Sequence, residues 1–310
     1  MNKPLVYIEC QAYNHGDYIA KCLDGIVMQK TNFPFVAIVH DDASQDETPT
    51  IIAEYAKKYP DIIKPILSKE NKYSQGILDD FMHEQCQDAK YVAICEGDDY
   101  WTDPLKLQKQ IDILEADETL MLCCTNSSEV DNNGVELKAR NEKVVKDNIP
   151  GKYNLRDFFQ HNHHYPTASV VYRNSHPQEI REMIERTNNP YLSDWTQWIA
   201  LLCFGDMYYL DEVTCAYRIN PTSVTHSKVD ERRLGLAKAN FYILPAVASI
   251  LPNEYQDIKD DLTNNTAWLW FNLANAYKHK HQYFKMVGCL FVCGIKDPKM
   301  LYNKIINRKK

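Results

Sequence analysis

The sequence predicts an α/β fold with a mainly parallel sheet, flanking helices and a C-terminal helical extension. Strand-like and helix-like segments alternate over the first hundred residues, which is typical of a parallel sheet with helices on both faces. A polar segment follows three of the strand-like stretches, at the sheet edge where ligands bind in such folds. From about residue 230 onward, the apolar spacing is helical and no stretch predicts a strand.

The first elements follow from apolar periodicity. The stretches "LVYIEC" and "FVAIVH" predict two strands, and each precedes an amphipathic helix. Ser44 and Glu47 fit a capping box at the start of the second helix. The stretch "IIKPIL" predicts a peripheral strand, because Pro65 cannot donate to a ladder.

A helix near residues 75–86 leads to a fourth predicted strand, "YVAIC". Because parallel strands end at the same edge, the segments "QAYNHGD", "DDASQDET" and "EGDDYW" should converge on one crevice.

The second half is less regular. Thr102 or Asp103 is expected to cap a helix with Pro104 at its first position. The stretches "LMLCCTNSSEV" and "ASVVYR" predict two more strands. Between them, residues 131–150 contain "DNNG" and predict a turn followed by a loop.

The composition argues against several classes of protein. A net charge of -7 and a pI near 5.8 do not suit a nucleic-acid partner. The ten cysteines fall at apolar positions without a CxxC pair, which favours buried reduced thiols and a cytoplasmic protein. The first apolar run is too short for a signal peptide, and no run is long enough to span a membrane.

Three carboxylates, Glu96, Asp98 and Asp99, follow the fourth strand with only Gly97 between them. Carboxylates this close raise one another's pKa unless a cation or hydrogen-bond donors compensate. Mg²⁺ and Mn²⁺ commonly take one or two carboxylates together with substrate phosphate oxygens. A solvated turn that caps the next helix is the alternative, and the triplet alone leaves both open.

Three segments carry a resemblance to a known family. The stretches "YIECQAYNHGDYIAKCLDGIVMQKT", "VHDDASQDET" and "YVAICEGDDYWTDPLKLQKQIDILE" resemble, in order and spacing, the signature segments of family 2 glycosyltransferases, which have the Rossmann-like GT-A fold. The resemblance is close over residues 4–115 and loose over 165–226. It implies a nucleotide-sugar donor, with UDP favoured, a divalent cation (Mn²⁺ or Mg²⁺), and transfer with inversion at the anomeric carbon.

The resemblance assigns five residues to the nucleotide. Ala12, Tyr13 and Asn14 resemble the segment that lies along the base. Asp42 matches the acid that accepts a hydrogen bond from the base, and Asp46 matches a second polar position in that loop. Packing is the alternative for Tyr13, and a turn or helix cap is the alternative for Asp42.

The acidic cluster resembles the family's DXD-type motif. Glu96 and Gly97 are assigned to the donor, with Glu96 in place of the more usual Asp and reaching the ribose or a metal-bound water. Asp98 is assigned as the metal ligand. Asp99 is either a second ligand or a contact on the acceptor side.

The reaction needs a general base for the acceptor hydroxyl, and the resemblance assigns Asp194. We expect Asp194 at a helix start, partly desolvated by Trp195 and Trp198. The family usually has Glu immediately before this acid, whereas Ser193 stands here. Asp194 as a plain N-cap is the alternative.

In the stretch "CAYRINPTSVTHS", Arg218 is assigned to the diphosphate, and His226 is assigned to the metal or a phosphate. His15 and His40 show no metal-ligand spacing and are expected to be structural. The histidines in "HNHHYPTASVVYR" are expected to line the acceptor groove or face solvent. A zinc site there has no cysteine pair at the required spacing.

The resemblance divides the chain into a glycosyltransferase domain, 1–228, and a helical region, 229–310. The domain has a nucleotide-sugar half, 1–100, and an acceptor half, 101–228. The last fifteen residues hold six Lys or Arg and one acid, which is compatible with an anionic membrane surface or a solvated tail. The apolar C-terminal helices are expected to pack on the catalytic domain or to form a homo-oligomer interface.

The implied function is an inverting, metal-dependent, hexosyltransferase-like enzyme. It would move a sugar to a saccharide or lipid-linked acceptor in surface polysaccharide synthesis, in the cytoplasm or at the inner face of the membrane. Two alternatives stay open: a catalytically silent nucleotide-sugar binding module, and a metal-dependent nucleotidyltransferase. The second is weakened because the sequence has no P-loop.

Overall fold

The computed structural model describes residues 3–137, 149–160, 165–187, 193–219, 230–264 and 266–306. The chain divides into two compact units. The first comprises residues 1–177 and 204–219, and the second comprises 178–203 and 220–310. The predicted domain boundary after residue 228 lies outside the described residues and stays a prediction.

The first unit contains a nine-stranded sheet whose first half is parallel. Its strands are β1 (Val6–Ala12), β2 (Phe35–Asp41), β3 (Ile63–Leu67) and β4 (Tyr91–Ile94), in the order β3-β2-β1-β4. The strand β3 lies at the edge of the sheet, as Pro65 predicted. All four strands therefore end on the same side of the sheet.

The second half of the sheet is mixed. Its strands are β5 (Tyr100–Trp101), β6 (Leu120–Val130), β7 (Gly151–Tyr153), β8 (Val170–Arg173) and β9 (Asp206–Arg218). The strand β8 lies antiparallel between β4 and β6, while β6 and β9 pair in parallel. Both β5 and β7 pair antiparallel with β9. Apolar alternation carries no information on strand direction, so these antiparallel pairs were not predicted.

Six helices accompany the sheet within the described residues. They are α1 (Ile19–Val27), α2 (Thr48–Lys58), α3 (Lys72–Gln75), α4 (Leu78–Cys86), α5 (Lys106–Ala116) and α6 (Leu155–Gln160). The helix α1 buries one face, in which Ile19, Cys22, Leu23 and Ile26 follow helical spacing. This packing against the sheet fixes where the loop between β1 and α1 lies.

Two predicted helix starts are wrong. The helix α2 has no capping box from Ser44 and Glu47, because Asp46 accepts the N–H of its first residue, Thr48, over 3.0 Å. The helix α5 begins at Lys106, two residues after the predicted Pro104. Asp103 still acts near that end, since its carboxylate accepts the N–H of Leu105 over 2.8 Å.

The second unit is helical in its described residues. The helices from the end of the first unit onward are α7 (Pro177–Thr187), α8 (Ser193–Leu202), α9 (Asp230–Ile250), α10 (Gln256–Asn264), α11 (Ala267–His279), α12 (Tyr283–Lys296) and α13 (Pro298–Ile306). The helix α11 packs against both α9 and α12. The described residues beyond 230 contain no strand, as predicted.

The ten cysteines are free thiols, and nine of them are buried, which confirms the prediction of reduced core cysteines. Among the described residues, no helix combines the length and hydropathy that crossing a membrane requires.

Candidate active site

The acid loop, residues 95–99, continues from β4 beside the end of β1. The N–H groups of Cys95 and Gly97 donate to the carbonyls of Glu9 and Gln11 over 2.9 and 2.8 Å. A turn follows, in which the N–H of Asp99 donates to the carbonyl of Glu96 over 3.0 Å. The three carboxylates thus stand at the carboxyl ends of the parallel strands.

The carboxyl group of Asp99 is buried and only partly satisfied. Its Oδ1 accepts the backbone N–H of Arg218 over 2.8 Å, whereas Oδ2 has no hydrogen-bond partner among the described residues. Burial, followed by the negative charges of Asp98 and Glu96, raises the pKa of Asp99 well above its ordinary value. These surroundings therefore disfavour the ionised form of Asp99, and a cation near Oδ2 would favour it.

Arg218 is the last residue of β9, and it forms hydrogen bonds with the acid loop. Its side chain is only 4% exposed, and Nε donates to the carbonyl of Asp98 over 2.7 Å. Its Nη1 donates to the carbonyls of Asp131 and Asn132 over 2.8 and 3.0 Å. The guanidinium carbon also lies 4.4 Å from the ring centre of Tyr18. The guanidinium group thus donates its hydrogen bonds from Nε and Nη1 to backbone carbonyls of the first unit.

Glu96 has a partner that sequence reasoning missed. The hydroxyl of Thr167 donates to Oε2 of Glu96 over 2.9 Å. Thr167 begins a short 3₁₀ turn, residues 167–169, directly before β8. No local signal marks this threonine, because its contact depends on β8 lying next to β4.

A buried polar network supports that 3₁₀ turn and was also missed. Nε1 of Trp101 donates to the carbonyl of Ala168, and Nε2 of Gln110 donates to the carbonyl of Ser169, both over 2.9 Å. The ammonium group of Lys106, which is fully buried, donates to Oε1 of Gln110. Two polar residues within the apolar stripe of α5 were the signal that could have revealed this network.

The loops after β1 and β2 are joined side by side. The N–H of Asn14 donates to Oγ of Ser44, and Oδ1 of Asn14 accepts the N–H of Gln45, both over 2.8 Å. Asp46 accepts the N–H of Gly16 over 2.8 Å in addition to its bond at α2. These bonds hold Asn14 in its left-handed conformation, with φ at 54°.

Asp42 is buried, and its carboxylate accepts hydrogen bonds from the first two N–H groups of α3. Its Oδ1 accepts the N–H of Lys72 over 2.6 Å, and Oδ2 accepts the N–H of Tyr73 over 3.0 Å. Tyr13, in contrast, is 48% exposed at the opening of the two loops. Ala12 is buried at the last position of β1.

His15 connects these loops to the acid loop. A Cβ added to Gly97 would lie 2.8 Å from Nδ1 of His15 and 3.0 Å from Cβ of Ala12. Only glycine therefore fits at the centre of the acid loop without displacing its neighbours. Burial lowers the pKa of His15. The three polar segments do meet at one edge, as the sequence predicted.

His40 is buried near the end of β2, where its Nε2 lies 2.8 Å from Oγ of Ser68 and 4.0 Å from Oδ1 of Asp42. Burial lowers its pKa, which suits the predicted structural role.

Asp194 lies in the first turn of α8, in the second unit. It lies at the helix start, as expected, but it is exposed rather than partly desolvated. The alternative of a plain N-cap is wrong, because Asp194 follows the first helical residue. Trp198, one turn further along the same face of the helix, is only 2% exposed, so burial of this face begins after the first turn. Its Oδ1 accepts the N–H of Trp195 over 2.8 Å.

Some predicted residues lie outside the described ranges. They are His226, the histidines at 161, 163 and 164, and the last three basic residues. Within the described ranges, no three His, Cys, Asp or Glu side chains form a group able to hold a metal by themselves.

Several known proteins are similar to this chain in sequence. The family model for glycosyl transferase family 2 matches residues 11–181. An uncharacterized protein of Mycobacterium tuberculosis is 34% identical over 72% of this chain and 61% of its own. TuaG of Bacillus subtilis, named for teichuronic acid biosynthesis, is 25% identical over 73% of this chain and 83% of its own. This chain thus spans less than two thirds of the mycobacterial relative's length.

Two solved structures share the fold. TarS of S. aureus, in complex with UDP-GlcNAc, has a TM-score of 0.65 at 15% identity, over 96% of this chain and 82% of its own. The mannosyltransferase PcManGT of Pyrobaculum calidifontis, in complex with GDP-Man and Mn²⁺, has a TM-score of 0.54 at 15% identity, over 100% and 80%.

The α/β sheet with its flanking helices has the GT-A fold of these two proteins. The predicted fold class is therefore confirmed. The chain belongs to glycosyl transferase family 2.

Proposed function

We propose that the chain moves a sugar from a nucleoside diphosphate sugar to a hydroxyl of a saccharide or lipid-linked acceptor. One observation carries the proposal. The buried Oδ2 of Asp99 has no partner among the described residues, beside the half-buried Asp98 at the carboxyl ends of the parallel strands. A UDP-sugar is the favoured donor, and the favoured transferred sugar is a hexose for surface polysaccharide synthesis.

A divalent cation fits these residues. Their donors are carboxylate oxygens, which Mg²⁺ and Mn²⁺ prefer, and a double positive charge offsets the burial and the repulsion that raise the pKa of Asp99. Asp98 and Asp99 would hold the cation, and His226 is a further candidate from the family resemblance. Such a set is incomplete by itself, and substrate phosphates commonly complete it. When bound, the cation supplies Lewis-acid stabilisation of the leaving diphosphate.

The joined loops after β1 and β2 are proposed to bind the nucleotide. Ala12, Tyr13 and Asn14 would lie along the base, and the exposed ring of Tyr13 is free to stack on it. Both oxygens of Asp42 already accept one N–H, but each carboxylate oxygen can accept another hydrogen bond. Asp46 would contribute by fixing the shape of these loops.

The acid loop completes the donor site in this proposal. Glu96, oriented by Thr167, would reach the ribose or a metal-bound water, and Gly97 would let the backbone approach the donor closely. The guanidinium of Arg218 is occupied by backbone carbonyls, which favours an indirect effect on the diphosphate through the position of the loop.

The chemical step would be a displacement with inversion. Asp194 would accept the proton of the acceptor hydroxyl as that oxygen bonds to the anomeric carbon. The bond between the anomeric carbon and the diphosphate oxygen breaks, and the nucleoside diphosphate leaves with the electron pair. The exposed position of Asp194 suits a base that must meet an acceptor.

The test is to incubate the chain with Mn²⁺ and a panel of UDP- and GDP-sugars, with and without crude saccharide and lipid acceptors, and to measure free nucleoside diphosphate. We expect acceptor-dependent release that Asp98→Asn lowers by at least about 100-fold. The exposed Asp61→Asn is the matched control and should retain full release.

The variant Asp194→Asn separates catalysis from binding, since it should bind nucleotide normally and lose release. Nucleotide binding without release from any donor would favour the silent binding module. Turnover of nucleoside triphosphates would favour the nucleotidyltransferase.

A further inference from the structure

The helix α12 exposes an apolar stripe. Phe284, Val287, Phe291 and Ile295 are 98%, 58%, 69% and 67% exposed. Their spacing of three and four residues places them on one face of the helix. Large apolar side chains grouped in this way mark a surface that is covered by a partner.

The opposite face of α12 is already buried within the second unit. Cys289 is 6% exposed and Cys293 is fully buried, and Met286 and Leu290 pack around them with residues of α11. One apolar face of α12 therefore fixes the helix within the second unit, while the other apolar face is exposed. Turning it to hide the stripe would expose the packed face.

Lysines are concentrated near the stripe in an otherwise acidic chain. Residues 278–304 contain six lysines and one aspartate, whereas the whole chain has a net charge of -7. Lys285 and Lys296 are exposed and lie along one edge of the stripe, roughly 100° around the helix from Phe284. Lys299 and Lys304 continue the positive surface on α13.

We propose that this stripe docks on an anionic lipid bilayer, with α12 lying in the plane of the membrane interface. The apolar side chains enter the acyl boundary, while the lysines keep their ammonium groups among acidic headgroups. At 14 residues, α12 is shorter than the roughly 20 residues that span a bilayer.

A second copy of the chain fits the stripe less well. A stable interface engages about 20–30 residues on each side, and the stripe offers four side chains. A two-fold contact between two copies would also bring their lysines together. An anionic bilayer satisfies both the apolar and the positive character of this surface.

Membrane docking goes beyond the proposed function, and it would bring the enzyme to the surface where lipid-linked acceptors lie. Its test needs neither donor nor acceptor, so the two proposals fail separately. The test is flotation of the whole chain with phosphatidylcholine vesicles, with or without about 30% phosphatidylglycerol, in the absence of nucleotide.

We expect binding to the anionic vesicles only, weakened when the salt is raised from about 0.1 to 0.5 M. The double variant Phe284→Asp/Phe291→Asp should bind at least about 10-fold more weakly. The control is Tyr242→Asp, which changes a 79%-exposed aromatic residue on α9 in the same unit and should bind like wild type. Because all three positions are exposed, circular dichroism should be unchanged.

Equal binding by the double variant, or no binding by wild type, would overturn the proposal. So would a wild-type dimer in light scattering that the double variant abolishes, since a second copy would then cover the stripe. The variant Lys285→Glu/Lys296→Glu tests the charge separately, and it should lower binding to anionic vesicles while it retains the stripe.

Discussion

The backbone N–H of Arg218 lies 2.8 Å from Oδ1 of Asp99, at the point where β9 ends beside the acid loop. The side chain of the same arginine donates to the carbonyls of Asp98, Asp131 and Asn132. One buried cation thus links the acid loop to the end of β9 and to the turn after β6. The placement of the carboxylates therefore depends on a residue that is remote in sequence.

Replacing Arg218 with Lys should lower the free energy of unfolding by about 2–4 kcal/mol. The lysine keeps the charge, but its single ammonium cannot reach three carbonyls that the planar guanidinium serves. Urea unfolding followed by tryptophan fluorescence measures the change. The acid loop should also lose its fixed position, so nucleoside diphosphate release should fall.

The control is Arg186→Gln, which removes an exposed ion pair with Glu182, one helical turn away. It should change the free energy of unfolding by less than about 0.5 kcal/mol. If Arg218→Lys were as mild as this control, the arginine would not be what holds the acid loop.

The parts of the site that the sequence predicted are those encoded locally. The strands β1, β2 and β4 are short apolar runs, and the polar segments directly after them had to meet once the strands were parallel. The acid loop was evident for the same reason, because Glu96, Asp98 and Asp99 follow β4 without an intervening element.

The parts that could not be predicted are the partners supplied by distant strands. The bond between Thr167 and Glu96 exists because β8 runs antiparallel to β4, and periodicity does not encode direction. The exposure of Asp194 likewise could not be predicted, because apolar spacing marks a buried helix face without marking where along the helix its burial begins.

Replacing Thr167 with Val should lower the free energy of unfolding by about 0.5–1.5 kcal/mol, because the isosteric side chain cannot donate to Glu96. Urea unfolding measures this. The control, Thr263→Val, removes an exposed hydroxyl that donates to a carbonyl in its own helix, and it should have a smaller effect. If Glu96 orients the donor, the KM for the nucleotide sugar should rise only in Thr167→Val.

Glu9 should make the protein less stable as the pH rises. Burial raises its pKa to about 7, even though Gln11 donates to its carboxylate over 2.6 Å. Below the ordinary pKa of about 4.5, both the folded and unfolded states hold the proton, and no penalty exists. Between that value and 7, only the unfolded state releases the proton, so the free energy of unfolding falls.

Replacing Glu9 with Gln removes this penalty. The variant should match wild type at pH 4.5 and be more stable by about 1–3 kcal/mol at pH 8. Urea unfolding at both pH values measures the difference. The exposed Glu54→Gln should differ from wild type by less than about 0.5 kcal/mol at either pH, and an equal gain in both variants would contradict the assignment to Glu9.

Two helical glycines should respond to alanine with opposite signs. A Cβ on Gly25, in α1, would lie 2.8 Å from both the backbone N and O of Trp101, which follows the acid loop, so Gly25→Ala should destabilise by about 1–3 kcal/mol. A Cβ on Gly288, in α12, would meet open space, so Gly288→Ala should stabilise by about 0.5–1 kcal/mol through helix propensity. Thermal unfolding of the two variants measures both effects. Destabilisation by Gly288→Ala would mean that helix propensity does not decide the response at that position. Stabilisation by Gly25→Ala would mean that the contact between α1 and β5 does not restrict residue 25.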